Sequence, residues 1–221
     1  MEAADVRVHH GPVPVPVFVE ALAGRLTESL SRGGALARDL VGDAGRIDVA
    51  LYNAVADTPT PTLDLPLRRL SNAANYSALW LGIAAGLAAV GGRRGRQAAI
   101  SGAASILVSS AVVNLPLKSL YARRRPDRAE VPARRVRMPA SSSFPSGHSA
   151  AGFAFATAVG RELPPLSLPL RGLAAAVAYS RVHTGVHYPA DAIAGSLLGS
   201  AIGLGVSGTV EHRFGWYAPT Q

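Results

Sequence analysis

The sequence predicts an all-α fold, an integral membrane helical bundle of about five transmembrane helices preceded by amphipathic N-terminal helices. Three observations predict it. Hydrophobic residues make up 48% of the 221 residues and charged residues only 16%, fewer than a soluble surface of this size carries. Beyond residue 74 the apolar residues gather into five stretches, each near the length of about 20 residues that crosses a bilayer's hydrocarbon core. In the last of these Gly195, Gly199 and Gly203 recur at every fourth position, a smooth face for close helix approach.

The elements follow in order. The opening "MEAADVRVHHGPVPVPV" lacks the basic start and apolar stretch of a signal peptide, and its prolines at 12, 14 and 16 favour an extended arm. His9 and His10 before that arm read as a solvated tail, not a metal site. From Phe18 the residues Leu22, Leu26 and Leu30 recur at helical spacing until Gly33-Gly34 stops the pattern. Ile47, Leu51 and Val55 repeat it within "GRIDVALYNAVAD". Both helices are too charged to span, so they are expected to lie along the membrane or to cover the bundle. The five spans are expected at 75–92, 97–117, 146–163, 165–182 and 190–210. Arg171 and the prolines at 164, 165 and 169 mark a turn at the membrane surface, with the apolar part of the fourth span starting near Leu170.

Net charge is +8, from 22 basic and 14 acidic residues, which by itself leaves nucleic acid, anionic lipid and a phosphorylated substrate open as partners. There is no cysteine, so disulfides, thiolate catalysis and Cys-based metal sites are excluded. Polar side chains at a membrane are costly, and here they cluster in three places. The second span ends in "LPLKSLYARRRPDR", the third starts from "SSSFPSGHSA", and the last is introduced by "SRVHTGVHYPAD". If successive spans each cross once, all three meet on one face. Cations gathered at a helix N-terminus describe an anion site, and phosphate fits it best.

The residues in question are Lys118-x6-Arg125-Pro126, Pro145-Ser146-Gly147-His148, and Ser180-Arg181-x5-His187-x3-Asp191. In order and spacing they resemble the three-part signature of the type 2 phosphatidic acid phosphatase (PAP2) superfamily, over residues 118–191. The resemblance implies a membrane lipid phosphate phosphatase with His187 as nucleophile, forming a phosphohistidine. Asp191 would then hold the other ring nitrogen of His187, as the acid does in a triad. His148 would protonate the leaving oxygen and then activate water. Lys118, Arg125 and Arg181 would hold the phosphoryl oxygens, with Ser146 and the N–H of Gly147 as further donors. It also implies a metal-independent reaction without a cofactor, a phosphorylated lipid substrate, membrane lipids as surroundings and no nucleic acid.

The substrate stays open among prenyl phosphates or diphosphates, phosphatidylglycerophosphate, phosphatidate and a phosphorylated sugar on a polyprenyl carrier such as decaprenylphosphoryl-phosphoribose. A lipid phosphotransferase using the same intermediate and a non-catalytic lipid-binding member are the alternatives. Oligomeric state is not readable. On this reading residues 1–74 are an N-terminal region outside the resemblance, 75–213 the transmembrane catalytic domain and 214–221 a tail. One span fewer than the family's common six is present.

His183 has no acidic residue four positions on and reads as a rim or packing residue. Arg123, Arg124, Arg128, Arg134, Arg135 and Arg137 read as a solvated loop drawn to anionic headgroups. Asn72, Asn75 and Asn114 read as helix-end or interhelical hydrogen-bonding residues without chemistry. A small excess of basic residues on the face that carries the motifs places that face in the cytoplasm of a multi-pass plasma-membrane protein.

Overall fold

The computed structural model describes residues 41–113, 118, 122–126 and 131–214, with side chains to residue 210. The proline arm, His9 and His10, the helix expected from Phe18, Asn114, Arg128 and the last seven residues lie outside the described residues. The chain divides into two units, residues 1–47 and 48–221; of the first, residues 41–47 are described and are helical.

The larger unit is built of helices, and no strand occurs among the described residues. Helix α1 covers residues 48–57, α2 Pro61–Ala73, α3 Ala78–Val90 and α4 Gly92–Val112; α5 is Gly147–Glu162, α6 Pro164–His183 and α7 Pro189–Phe214. Short 3₁₀ turns lie at Asn75–Ser77 and Pro132–Arg134. The α3–α4 turn is made at Gly92, whose φ of +61° suits a residue without Cβ. Helix α4 therefore takes in Arg93, Arg94 and Arg96, which the expected span at 97–117 left out. Helix α6 likewise starts at Pro164, where a residue with no N–H costs nothing, and it carries Pro169 within it.

Helix α5 is the centre of the bundle and packs on α4, α6 and α7. Its partner α7 lies close because the glycine stripe lets it. A Cβ at Gly195 would overlap the carbonyl of Ser146, one at Gly199 that of Ala150, and one at Gly203 would stand 2.6 Å from that of Ala154. Trp80 and Phe155, both fully buried, pack with ring centroids 5.5 Å apart between α3 and α5.

Small and polar residues fill much of the interior while large apolar ones lie outside. Ser101, Ser105, Ser149, Ser180 and Ser207 are fully buried, whereas Leu107, Leu168, Ile193 and Leu197 are exposed by 71%, 81%, 60% and 68%. Several helix serines return their hydroxyl to a carbonyl one turn earlier, as Ser105 does to Ser101 at 2.8 Å and Ser207 to Gly203 at 2.8 Å. By length and composition one described helix can cross a membrane, Pro189–Val210; Pro61–Ala73 with Asn75–Val90 passes only as a pair, bent by 64°.

Two expectations are corrected. In α1 the buried residues are Asp48 and Tyr52, and Leu51 of the expected apolar stripe is 52% exposed. Arg134 is not solvated: it is 1% exposed, donates to Asp64 at 2.8 Å and closes the α1–α2 connection through the carbonyls of Ala56 and Thr58. His183 is buried in the same cluster, with Nε2 at 2.9 Å from Thr60 Oγ1 and 3.2 Å from Asp64. It packs, as its sequence context suggests.

Candidate active site

Three segments meet beside the start of α5. Ser146 caps that helix, its hydroxyl accepting from the backbone N–H of Ser149 at 3.4 Å, and the Phe144-Pro145 peptide before it is cis. The backbone N–H of Ser146 donates to the carbonyl of Asp191 at 3.0 Å, which ties the start of α5 to the start of α7. The first turn of α5 points the N–H groups of Gly147 and His148 away from the helix, as every helix start does. A Cβ at Gly147 would stand 3.8 Å from Lys118 Nζ.

The loop from α6 to α7 turns back on α6, the backbone N–H groups of Val186 and His187 both donating to the carbonyl of Arg181 at 3.0 and 3.1 Å. Gly185 makes this possible with φ at +69°. Pro189 begins α7 and sets Asp191 in its first turn. His187 and Asp191 are thereby buried together, at 1% and 0% exposure.

Arg125 reaches into the same place. Its Nη1 donates to the carbonyl of Val186 at 2.9 Å and stands 3.2 Å from His187 Nε2, while Nε and Nη2 are held by the carbonyls of Ser141 and Ser142. A guanidinium can only donate, so Nε2 of His187 accepts and the ring proton sits on Nδ1. Nδ1 faces Asp191 Oδ2 at 3.6 Å and Ser143 Oγ at 3.4 Å. The first distance is beyond hydrogen-bond length. Ser143 closes it, donating to Asp191 Oδ2 at 2.5 Å.

The remaining members stand around this pair. Arg181 is 1% exposed and anchored by Nη1 to Ser71 Oγ at 2.6 Å, while its Nε is buried without a partner. Lys118 donates to Ser141 Oγ at 3.2 Å. His148 and Lys118 line one cavity of about 160 Å³ with Ser77, Ser110 and Gly147. The charges of Arg181, Lys118 and Arg125 act on His148, as does the His187 ring.

Electrostatically the site is a half-buried cationic cradle. Burial, with Arg125 and Arg181 nearby, pushes the Lys118 ammonium below its ordinary pKa. Burial lowers Arg125 as well, against the pull of Asp191. Burial takes His187 down to about 4, Arg125 and Arg181 acting in the same direction and Asp191 opposing. His187 is thus a neutral imidazole at neutral pH, with the lone pair of Nε2 turned towards the cations.

A family model described as the PAP2 superfamily matches residues 99–214. The chain belongs to the PAP2 superfamily. Curated relatives include a decaprenylphosphoryl-5-phosphoribose phosphatase of Mycobacterium tuberculosis, 36% identical over 70% of this chain and 84% of the relative. One of the same description from Mycolicibacterium smegmatis is 33% identical over the same shares. Among solved structures, the transmembrane PAP2-type phosphatidylglycerolphosphate phosphatase of Bacillus subtilis superposes with a TM-score of 0.59 at 23% identity, over 77% of this chain and 87% of that one. LpxE of Aquifex aeolicus gives 0.59 at 23% identity over 72% and 93%. This PAP2 member is an enzyme, a phosphatase.

All eight residues singled out from the sequence gather here: Lys118, Arg125, Ser146, Gly147, His148, Arg181, His187 and Asp191. Sequence reasoning missed four others. Ser143 bonds Asp191; Ser71 anchors Arg181; Asn75 Oδ1 stands 3.0 Å from His148 Nε2. Arg123, read as solvated, donates to Asp191 Oδ1 at 2.8 Å and to Asp48 Oδ2 at 2.6 Å. The only sequence signal for Asn75 was its place at a helix end, and for Ser143 its place just before the Pro-Ser-Gly-His segment.

Proposed function

We propose that the chain is an integral membrane lipid phosphate phosphatase that removes the 5-phosphate of a polyprenylphosphoryl phosphoribose through a phosphohistidine on His187. The observation that carries the mechanism is the contact of Arg125 with His187 Nε2, which turns a neutral, nucleophilic nitrogen into a cationic cradle. Nε2 attacks phosphorus in line as the ester bond to the sugar oxygen breaks. His148 gives its proton to that oxygen. It then takes one from water, whose oxygen attacks the phosphohistidine and releases inorganic phosphate and free His187. Lys118, Arg125 and Arg181 hold the equatorial oxygens, where charge builds, with the N–H of Gly147 and the hydroxyl of Ser146 beside them. Asp191 holds Nδ1–H and stabilises the charged ring.

The membrane reading rests on the inverted packing, small and hydroxyl side chains within and Leu and Ile without, which suits lipid as the outer solvent. On this reading α3 with its preceding turn, α4, α5, α6 and α7 are five crossings, and the small excess of basic residues on the motif-bearing face favours a cytoplasmic site. The substrate class is supported by relatives at 36% and 33% identity that bear that activity in their names.

The test is inorganic phosphate release by the purified protein in detergent. Polyprenylphosphoryl-5-phosphoribose, phosphatidylglycerophosphate, phosphatidate and a prenyl diphosphate form the panel. The first is expected to have the highest kcat/KM by about tenfold or more. Preference for a glycerophospholipid would overturn the substrate assignment and leave the chemistry standing.

A further inference from the structure

A buried carboxylate facing a neutral imidazole needs a countercharge, and the residue that supplies it to Asp191 stands at one of the unspecified positions of Lys118-x6-Arg125, not at a motif residue. Asp191 is fully buried. It accepts from Ser143 Oγ, from the backbone N–H of Tyr188 at 2.9 Å and from Arg123 Nη1 at 2.8 Å. Of these donors only Arg123 is charged. Arg125 stands at the other ring nitrogen of His187, Nε2, where the phosphoryl group would sit.

Arg123 is itself fixed from four directions. Nη2 donates to Asp48 at 2.6 Å and the guanidinium lies 4.2 Å over the ring of Tyr188. Its backbone N–H donates to Ser142 Oγ at 3.1 Å, and its carbonyl accepts from the backbone N–H of Ser143 at 2.9 Å. Arg123 therefore holds Asp191 twice, through its own side chain and through the backbone of the serine that also bonds Asp191. Asp48 does the same from α1. Its Oδ2 takes Arg123, and its Oδ1 accepts from the backbone N–H of Ala190 at 2.7 Å, in the first turn of the helix that carries Asp191. Tyr52, one turn along α1, packs edge-on against Tyr188 at 5.5 Å.

We propose that Asp48 and Arg123 are positioning residues, a carboxylate–guanidinium clamp that holds Asp191 against His187, so that α1, which lies before residues 99–214 of the family match, completes the catalytic apparatus. This rests on His187 as nucleophile. The clamp touches neither the phosphoryl group nor the reacting nitrogen. It acts on the rate at which His187 is phosphorylated, and not on how tightly the lipid is held. A lysine at 123 could meet one carboxylate but could not bridge two.

The test compares Asp48→Asn, Arg123→Met, Arg123→Lys and Asp48→Asn/Arg123→Met with the parent protein in detergent, using polyprenylphosphoryl-5-phosphoribose and phosphatidate. Thermal unfolding of each variant is followed alongside. Asp48→Asn and Arg123→Met are each expected to lower kcat by about 10- to 100-fold with KM within about twofold, as for partners that orient an active group through its neighbour. The double variant is expected to be no slower than Arg123→Met, since both act through one carboxylate. Arg123→Lys should recover part of the loss. Should Arg123→Met not fold, Asp48→Asn and Arg123→Lys decide by the same kcat criterion.

Unchanged kcat in Asp48→Asn and Arg123→Lys, fully additive losses, or a rise confined to KM would each overturn the clamp; the last would make Arg123 a substrate-binding residue. His187→Ala in the same assay separates the two levels. If it is inactive while the clamp variants are normal, only the clamp fails. If it turns over normally, the assignment of the nucleophile fails and takes the clamp with it.

Discussion

At the scale of single residues, burial and charge keep the His187 imidazole neutral. Its ring is depressed to about 4 by burial and the neighbouring guanidinium groups, against an ordinary value of 6.5. As pH falls below 6.5 the unfolded chain takes up a proton that the folded ring refuses, so stability is lost from there down to about pH 4. Thermal unfolding without phosphate is expected to show that loss between these limits, and His187→Gln to flatten it; an equal slope in both proteins would contradict the buried neutral ring. Ser143 carries a second expectation. Ser143→Ala removes the short bond to Asp191 and leaves a buried carboxylate short of one donor, a cost of about 1–3 kcal/mol. A fall in kcat of about tenfold or more, read by phosphate release, is the expected outcome.

At the scale of elements, the packing of α7 on α5 positions the site, because Gly195 lies against Ser146, the cap residue of the Pro-Ser-Gly-His helix. Gly199→Ala would drive a methyl group into the Ala150 backbone carbonyl and is expected to destabilise by about 1–3 kcal/mol. Gly205, on the same helix, has nothing within 4 Å of a Cβ, and Gly205→Ala should leave stability unchanged or raise it slightly. Unfolding temperatures in detergent read both, and equal effects would refute the close approach.

The stripe was legible because three glycines at one spacing admit few other readings. Helix α1 was not. Its hydrophobic spacing suggested an inward Leu51, while Asp48 and Tyr52 turn in, because their partners Arg123, Ala190 and Tyr188 lie far along the chain. The motif residues could be read because each brings its chemistry in its own type and spacing. Arg123 could not be told from Arg124 beside it, nor Ser143 from the serines next to it, since only the fold decides which of a run faces inward.

At the scale of the whole molecule, the bundle brings Arg125 and Arg181 to His187 and leaves apolar side chains on its flanks. Helix α4 runs from its arginine-bearing start towards Lys118, about 30 Å over 21 residues. With a cytoplasmic site, a cysteine at Arg94→Cys is expected to react with an impermeant maleimide added outside intact cells, and one at Arg137→Cys is expected not to; the reverse pattern would turn the site outward. The chain has no cysteine of its own to interfere.

Two imidazoles, His148 in the first turn of α5 and His187 in the α6–α7 loop, are proposed to work in turn on one phosphoryl group, and rapid quenching with ³²P-labelled substrate tests this most directly. The account requires an acid-labile, base-stable label on His187 that is absent from His187→Ala and persists longer in His148→Ala. Turnover without any labelled enzyme, or a label on another residue, would contradict it.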